Sequence, residues 1–361
     1  MTYIYAAAVL CGLGVGLSLI IQVAERFLAS YGECRVRVNG ERELVVRGGC
    51  TLNDAFFANR IFIPSACGGK GTCGYCKVKV LEGGGPVLPT ELPNLTRAEL
   101  RSGVRLACQV KVKNDLVVQV RPEYLSVREY RARLVAARML TRDIRELRFA
   151  LVEPAEMEFR PGQYVQVRVP VAGPPIWRAY SISSDPAVKN EIELIVRLVP
   201  KGLGSTYLHR IEPGEEIVFT GPYGEFELSE DESTELALVG GGCGMAPIKS
   251  IVHYVSRRWP ARKITLFFGA RSAEDVFYYD DYKKLAAERP GFRVYYALSE
   301  PKPTDVWDGE RGFIHLSVDA HLKRGRKRQA FLCGPPPMIE ATLNVLRSKG
   351  MRKEQVFYDK F

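Results

Sequence analysis

The sequence is short of the features that would place it in several large classes. Nine cysteines in 361 residues are too sparse for a disulfide scaffold. Charged residues at 25% and apolar residues at 46% are ordinary globular values, and they exclude a disordered, collagen-like or polytopic membrane protein. Negative charge is in deficit, with 41 Asp and Glu against 51 Lys and Arg, a formal balance of +10. That surplus fits nucleic acid, an anionic membrane surface or nothing at all until its distribution is known. The length suits two or three domains.

One long uncharged run is present. Residues 3–24, YIYAAAVLCGLGVGLSLIIQVA, carry no formal charge, and as a helix they would reach about 33 Å, enough for a bilayer core. A secretory signal peptide is the rival, but it needs a basic segment before a shorter apolar run, and no Lys or Arg precedes this one. Residues 1–28 are therefore expected to anchor the chain in a lipid bilayer. The basic residues that follow, Arg26, Arg35, Arg37 and Arg42, put the remainder on the cytoplasmic side. Ala8, Gly12 and Gly16 share one helix face, which suits a neighbouring transmembrane helix as well as it suits the general abundance of glycine in such helices. No carboxylate lies between residues 3 and 24, so this helix alone offers no relay for a cation. On an anchored chain the basic run HLKRGRKRQ points to anionic lipid or an acidic docking face, and no nucleic-acid partner is expected.

Four cysteines form the most specific pattern. Around Asn39-Gly40 the apolar alternation predicts a hairpin, and Thr51 is placed to cap a short helix over 52–58 with Asp54 in its first turn. Then PSACGGKGTCGYCKVKV sets Cys67, Cys73 and Cys76 in a C-x5-C-x2-C spacing, with Cys108 32 positions beyond Cys76. Three thiolates on one glycine-rich loop and a fourth in a strand suit an iron–sulfur cluster, because the glycines let backbone N–H groups turn toward sulfur. Zinc is the alternative, but zinc ribbons usually pair two close C-x2-C knuckles. Cys11, Cys34, Cys50, Cys243 and Cys333 are left over, an odd number that also speaks against disulfides. The stretch resembles a 2Fe-2S ferredoxin domain of β-grasp fold, and residues 31–124 are assigned to it.

Beyond Tyr124 short apolar runs with Pro-Gly turns predict an antiparallel β-barrel over 128–230. Within it lie Arg178-Ala179-Tyr180-Ser181 and Lys201-Gly202-Leu203-Gly204-Ser205-Thr206, which in this order resemble the ferredoxin–NADP+ reductase superfamily. That resemblance implies FAD, with Arg178, Gly202, Ser205 and Thr206 at its phosphates and Tyr180 stacked on its ring; an arginine, a helix N-terminus and an aromatic face are suited to those tasks. From 233 to 361 strands alternate with helices, predicting a doubly wound α/β domain with its ligand at the carboxyl ends of the strands. An apolar strand running into Gly240, Gly241, Gly242 and Gly244 and then Met245 lets amides meet a phosphate, although the spacing is not G-x-G-x-x-G. Gly269 and Arg271, and the turn Cys333-Gly334-Pro335-Pro336-Pro337-Met338, complete the expected nicotinamide site.

The fold class expected is thus multidomain α/β and β: anchor, ferredoxin domain, flavin barrel and nucleotide domain. In that order CGGKGTCGYC, RAYS, GPYGEFEL, VGGGCGMAP, FFGARS, WDGERGFIH and CGPPPM resemble the F subunits of the Na+-translocating NADH:quinone oxidoreductases. The resemblance implies hydride transfer from NADH to FAD and single electrons to a 2Fe-2S cluster. From there they pass to integral membrane subunits and, indirectly, quinone, at a bacterial inner membrane. It also implies roles for Ser181 and Cys333 beside the hydride path and for Phe361 over the flavin face. A tethered reductase component for an oxygenase shares the three soluble modules, and a non-catalytic redox sensor is the rival from another class.

Overall fold

The computed structural model describes residues 11–20, 31–65, 67–172, 176–224, 228–325 and 327–360. Residues 11–20 are helical (α1), and among the described residues no helix is long and apolar enough to cross a membrane. Most of the expected anchor, and Phe361, lie outside the described residues. Two compact units follow the chain, the first ending at Val127 and the second beginning at Arg128.

In the first unit β1 (Glu33–Val38) and β2 (Arg42–Arg47) pair as a hairpin whose turn puts Asn39 and Gly40 at φ 53° and 76°. Strict alternation of buried and exposed residues along β1 explains its register, since a slip of one would bury Arg35 and Arg37. Thr51 caps α2 (Leu52–Ala58) in a reciprocal box with Asp54. After the cysteine loop come β3 (Lys77–Glu82), α3 (Arg97–Arg101), β4 (Val104–Leu106), β5 (Leu116–Gln119) and α4 (Pro122–Leu125). The sheet runs β2-β1-β5-β3-β4 with only β1 and β5 parallel, and Phe56 of α2 joins Val36, Leu106 and Val118 in its core. This is the β-grasp arrangement.

The second unit opens with β6 (Arg128–Met139), β7 (Ile144–Glu153), β8 (Tyr164–Val169), β9 (Ile176–Ser181), β10 (Glu191–Arg197), α5 (Leu203–Arg210) and β11 (Glu216–Tyr223). They form an antiparallel sheet in the order β10-β7-β6-β11-β8-β9, which a bridge from Ile182 to Leu194 closes on itself. Chain reversal then gives β12 (Glu235–Gly241), α6 (Met245–Arg258), β13 (Ile264–Ala270), α7 (Tyr279–Glu288), β14 (Phe292–Leu298) and β15 (Glu310–Arg311). The last elements are α8 (Ile314–His321), β16 (Arg328–Gly334), α9 (Pro336–Ser348) and β17 (Val356–Lys360). All six strands are parallel, in the order β15-β14-β13-β12-β16-β17. The order reverses between β12 and β16, which opens a crevice at their carboxyl ends.

A charged knot ties barrel to parallel sheet. Lys249 of α6 sends its ammonium to Glu146 of β7 at 3.0 Å and Glu193 of β10 at 2.8 Å, over the ring of Tyr278, whose hydroxyl donates to Glu146. Burial disfavours charge on Glu146, yet Lys249, Tyr278 and Arg138 together hold its carboxyl below the ordinary range. Arg257, also on α6, adds a two-pronged pair with Asp185. Replacing Lys249 by Met leaves Glu193 without its cation and Glu146 with Arg138 alone, and is expected to cost about 3 kcal/mol, seen as a lower Tm. An unchanged melting curve for that variant would refute the assignment.

Candidate functional site

The cysteines come together as two pairs. Cys76 and Cys108 lie with sulfurs 3.3 Å apart, and Cys73 donates to Cys67. Among the described residues no three His, Cys, Asp or Glu side chains converge as a single-ion site would require. Two sulfur pairs are what a two-iron cluster needs, one pair to each iron, and this donor set fits it better than a lone tetrahedral zinc. Backbone N–H groups of Thr72 and Cys73 face Cys67, that of Tyr75 faces Cys73, and that of Gly71 faces Cys108. These bonds favour thiolate: with its partner's hydrogen bond first, Cys67 is drawn down to about 3 and Cys108 to about 7. Cys76 and Cys108 are buried, whereas Cys67 and Cys73 are partly exposed.

Sequence reasoning missed the buried ion pair that fastens the segment 84–91 to β4, the strand leading to Cys108. Glu91 is fully buried and takes Arg105 two-pronged, Nε to Oε1 at 2.9 Å and Nη2 to Oε2 at 2.6 Å, while the amides of Leu88 and Leu106 also donate to it. Arg105 spends its remaining donors on the carbonyls of Gly84, Gly85 and Pro86. Every lone pair and proton is answered, as a buried ion pair requires. Neither residue sits in a periodic pattern, so no spacing rule could have paired them. The only sequence signal was that Arg105 lies three positions before Cys108.

In the barrel the two separate flavin motifs meet. A Cβ on Gly204 would lie 2.6 Å from the Tyr180 hydroxyl and 2.9 Å from Arg178 Cγ, so only glycine lets α5 pack against β9. Helix α5 begins at Gly202 without a side-chain cap, leaving its first N–H groups for an anion beside Arg178. The uncapped end is the observation that fits a flavin pyrophosphate. Ser205 turns elsewhere: its buried hydroxyl accepts from the Val199 amide at 3.0 Å and faces the Gly202 carbonyl, so its backbone and not its side chain is available. Thr206 lies one position deeper, its amide already bonded to the Gly202 carbonyl. Burial raises the Tyr180 phenol well above its usual value, so it stays neutral. Ser181, at the end of β9, is half-buried.

At the carboxyl edge of the parallel sheet Gly244 presses on the end of β16, where a Cβ would overlap the Cys333 carbonyl. This contact joins GGGCGM to CGPPPM. Neither α6 nor α9 has a side-chain cap, but the Met245 N–H heading α6 already bonds the carbonyls of Gly242 and Cys243, Pro247 has no N–H to offer, and Pro336 and Pro337 withhold two from α9. Gly241 and Gly334 flank the Met338 thioether, and Gly269 packs on Ile314. Met245 is wholly buried against Gly240, so its side chain belongs to the core and only its backbone reaches the crevice. Cys333 is also buried, and that burial pushes its thiol well up, which keeps it protonated. Arg271 is held by Asp275 at 2.9 and 3.0 Å and lies 3.8 Å from Asp143. Gly242 is overlain by the guanidinium of Arg197, a barrel residue that the sequence did not single out. The last strand, β17, pairs Lys360 with Gly334 and so carries the chain to this same edge.

Three family profiles match the chain: a 2Fe-2S iron-sulfur cluster binding domain over 36–113, an oxidoreductase FAD-binding domain over 131–228 and an oxidoreductase NAD-binding domain over 238–344. Fold, thiol pairs and an open helix end together define an iron–sulfur flavoprotein reductase that takes a nicotinamide nucleotide. The Amycolatopsis cytochrome P450 reductase GcoB has a similar structure, with a TM-score of 0.73, 30% identity and coverage of 91% of this chain and 98% of its own. Over 388 residues the chain is 37% identical to the Na(+)-translocating NADH-quinone reductase F subunit of Neisseria meningitidis serogroup C, covering 96% of each. To the protein of that name from Pseudomonas aeruginosa it is 34% identical, covering 96% of this chain and 95% of the relative. The chain belongs to the family of Na(+)-translocating NADH-quinone reductase F subunits.

Two outcomes are expected. Gly244→Ala should slow flavin reduction by NADH about 100-fold, the scale of a misplaced reactant, while flavin and iron content stay unchanged; stopped-flow bleaching at the wild-type rate would refute it. Glu91 has a depressed carboxyl pKa: burial opposes the charge, and Arg105 together with the Leu88 and Leu106 amides outweighs it. The pair therefore stabilises above the unfolded value of about 4.3 and loses that contribution as pH falls through the folded value. Urea melts followed by the cluster's visible circular dichroism should weaken below about pH 4 in the wild type. Glu91→Gln should be weaker at pH 7 and lose less across that range, where Glu99, held low by Lys77 and Thr96, still titrates, and matching profiles would dismiss the pair.

Proposed function

We propose that this chain is the NADH-oxidising, electron-input subunit of a Na+-translocating NADH:quinone oxidoreductase. Its most direct support is the full-length similarity to the F subunits, joined to a structure that assembles thiol pairs, flavin motifs and nucleotide motifs in the family's order. FAD, when bound, accepts two electrons as hydride and releases them one at a time, which a single 2Fe-2S centre requires.

The residues orient and insulate. Cys67 with Cys73, and Cys76 with Cys108, hold the cluster. Arg178 and the first amides of α5 take the flavin pyrophosphate, and Tyr180 lies against its ring. The amides around Gly240, Gly241, Gly242 and Gly244 receive the nicotinamide nucleotide's phosphates, with Gly269, Gly334, Pro335 and Met338 shaping the crevice. Ser181 and Cys333 line the hydride path as neutral groups, so no acid or base has to be supplied. Phe361 covers the flavin face, a reading supported by the register of β17. Arg271, neutralised by Asp275, braces this edge without soliciting a further phosphate.

Residues 1–28 form the membrane anchor, supported by the 22 uncharged residues from Tyr3 to Ala24. The folded units then face the cytoplasm of a bacterial inner membrane and pass electrons to integral subunits. The similarity to a cytochrome P450 reductase favours a second reading, a tethered reductase serving an oxygenase. Gentle solubilisation of native membranes separates the two: integral subunits of a quinone reductase should co-purify, and an oxygenase in their place would overturn the first reading. Deleting residues 1–28 should leave a soluble protein that reduces ferricyanide with NADH. Within it Cys73→Ala should abolish the reduced-cluster EPR signal and spare flavin bleaching, and persistence of that signal would break the ligand set.

A further inference from the structure

The residue after the fourth cysteine is held in an unusual way. Gln109 is half-buried, and its amide nitrogen faces the Cys108 sulfur at 3.5 Å and the carbonyls of Gly69 and Cys108 at 3.3 Å each. Those carbonyls accept only, so the NH2 end of the amide must point toward the cluster loop and the oxygen away from it. The oxygen is met from outside by the Thr90 hydroxyl at 2.9 Å, the shortest bond the side chain makes. Thr90 itself is fixed, because it precedes Glu91, which is clamped by Arg105. Space is reserved as well: a Cβ on Gly71 would lie 2.9 Å from the Gln109 amide carbon. On the other side Asn94 donates to the Gly71 carbonyl at 2.7 Å, steadying the residue whose N–H also reaches Cys108.

We propose that Gln109, oriented by Thr90, sets the reduction potential of the iron–sulfur centre. The inference rests on the ligand set given above, with Cys108 as the fourth ligand. One-electron reduction adds a negative charge shared with the ligand sulfurs, and no proton is needed. The N–H dipole of Gln109 faces that charge and favours the reduced form, as hydrogen bonds to cluster sulfurs do. Gln109 is a positioning residue; it acts through the Cys108 sulfur.

The test is an EPR-monitored redox titration of the full-length protein with its cofactors. Gln109→Leu and Thr90→Val should each lower the potential, Gln109→Leu by on the order of tenfold in the reduced-to-oxidised ratio at fixed poise, about 59 mV for one electron. Gln109→Glu, with a carboxylate at the sulfur, should lower it further, and Thr90→Ser should restore the wild-type value. Thr90 touches no cysteine, so its variants read the effect even where Gln109→Leu fails to hold iron. Unaltered potentials in Thr90→Val, with a normal EPR signal, would overturn the proposal. A wild-type protein without a reduced-cluster signal would instead overturn the ligand assignment beneath it.

Discussion

The contact of Gly244 with the carbonyl of Cys333 is the constraint on which the nucleotide end of the molecule depends. Two parallel strands that part at their carboxyl ends make a crevice only if the turns leaving them stay close. Here the turn after β12 touches the end of β16 backbone to backbone. Around that touch gather the first turn of α6, the seat of Met338 between Gly241 and Gly334, and the arrival of β17 at the same edge. The barrel is brought to this edge by Arg197 over Gly242 and held beside it by the Lys249 knot.

Local chemistry was legible in the sequence and long-range pairing was not. The Asn39-Gly40 hairpin and the Thr51 cap followed from residues next to one another, and the structure has both. The cysteine spacing announced sulfur ligation because glycine and cysteine alternate within ten residues, a density with few other physical uses. Glu91 with Arg105, and Lys249 with Glu146 and Glu193, join elements far apart in the chain, and no periodicity marks them. Ser205 and Met245 show a subtler limit. A motif names positions, but whether a side chain or its backbone faces the ligand is decided by packing: Ser205 bonds back to Val199 and Met245 fills the core.

The two units divide the work by the kind of contact they use. Around the crevice and the barrel helix the chain offers backbone and an open helix end, suited to phosphates that arrive and leave. Around the sulfurs it offers amides packed on thiols within a fully satisfied polar frame. The first arrangement tolerates exchange; the second favours permanence.

The frame around the cysteines has one more consequence. Glu91 and Arg105 draw their bonds from each other, two amides and three carbonyls, and none from a thiol. The fastening of segment 84–91 to β4 is therefore held without a bond to any thiol. A change in what the sulfurs carry leaves every donor and acceptor of that ion pair matched as before.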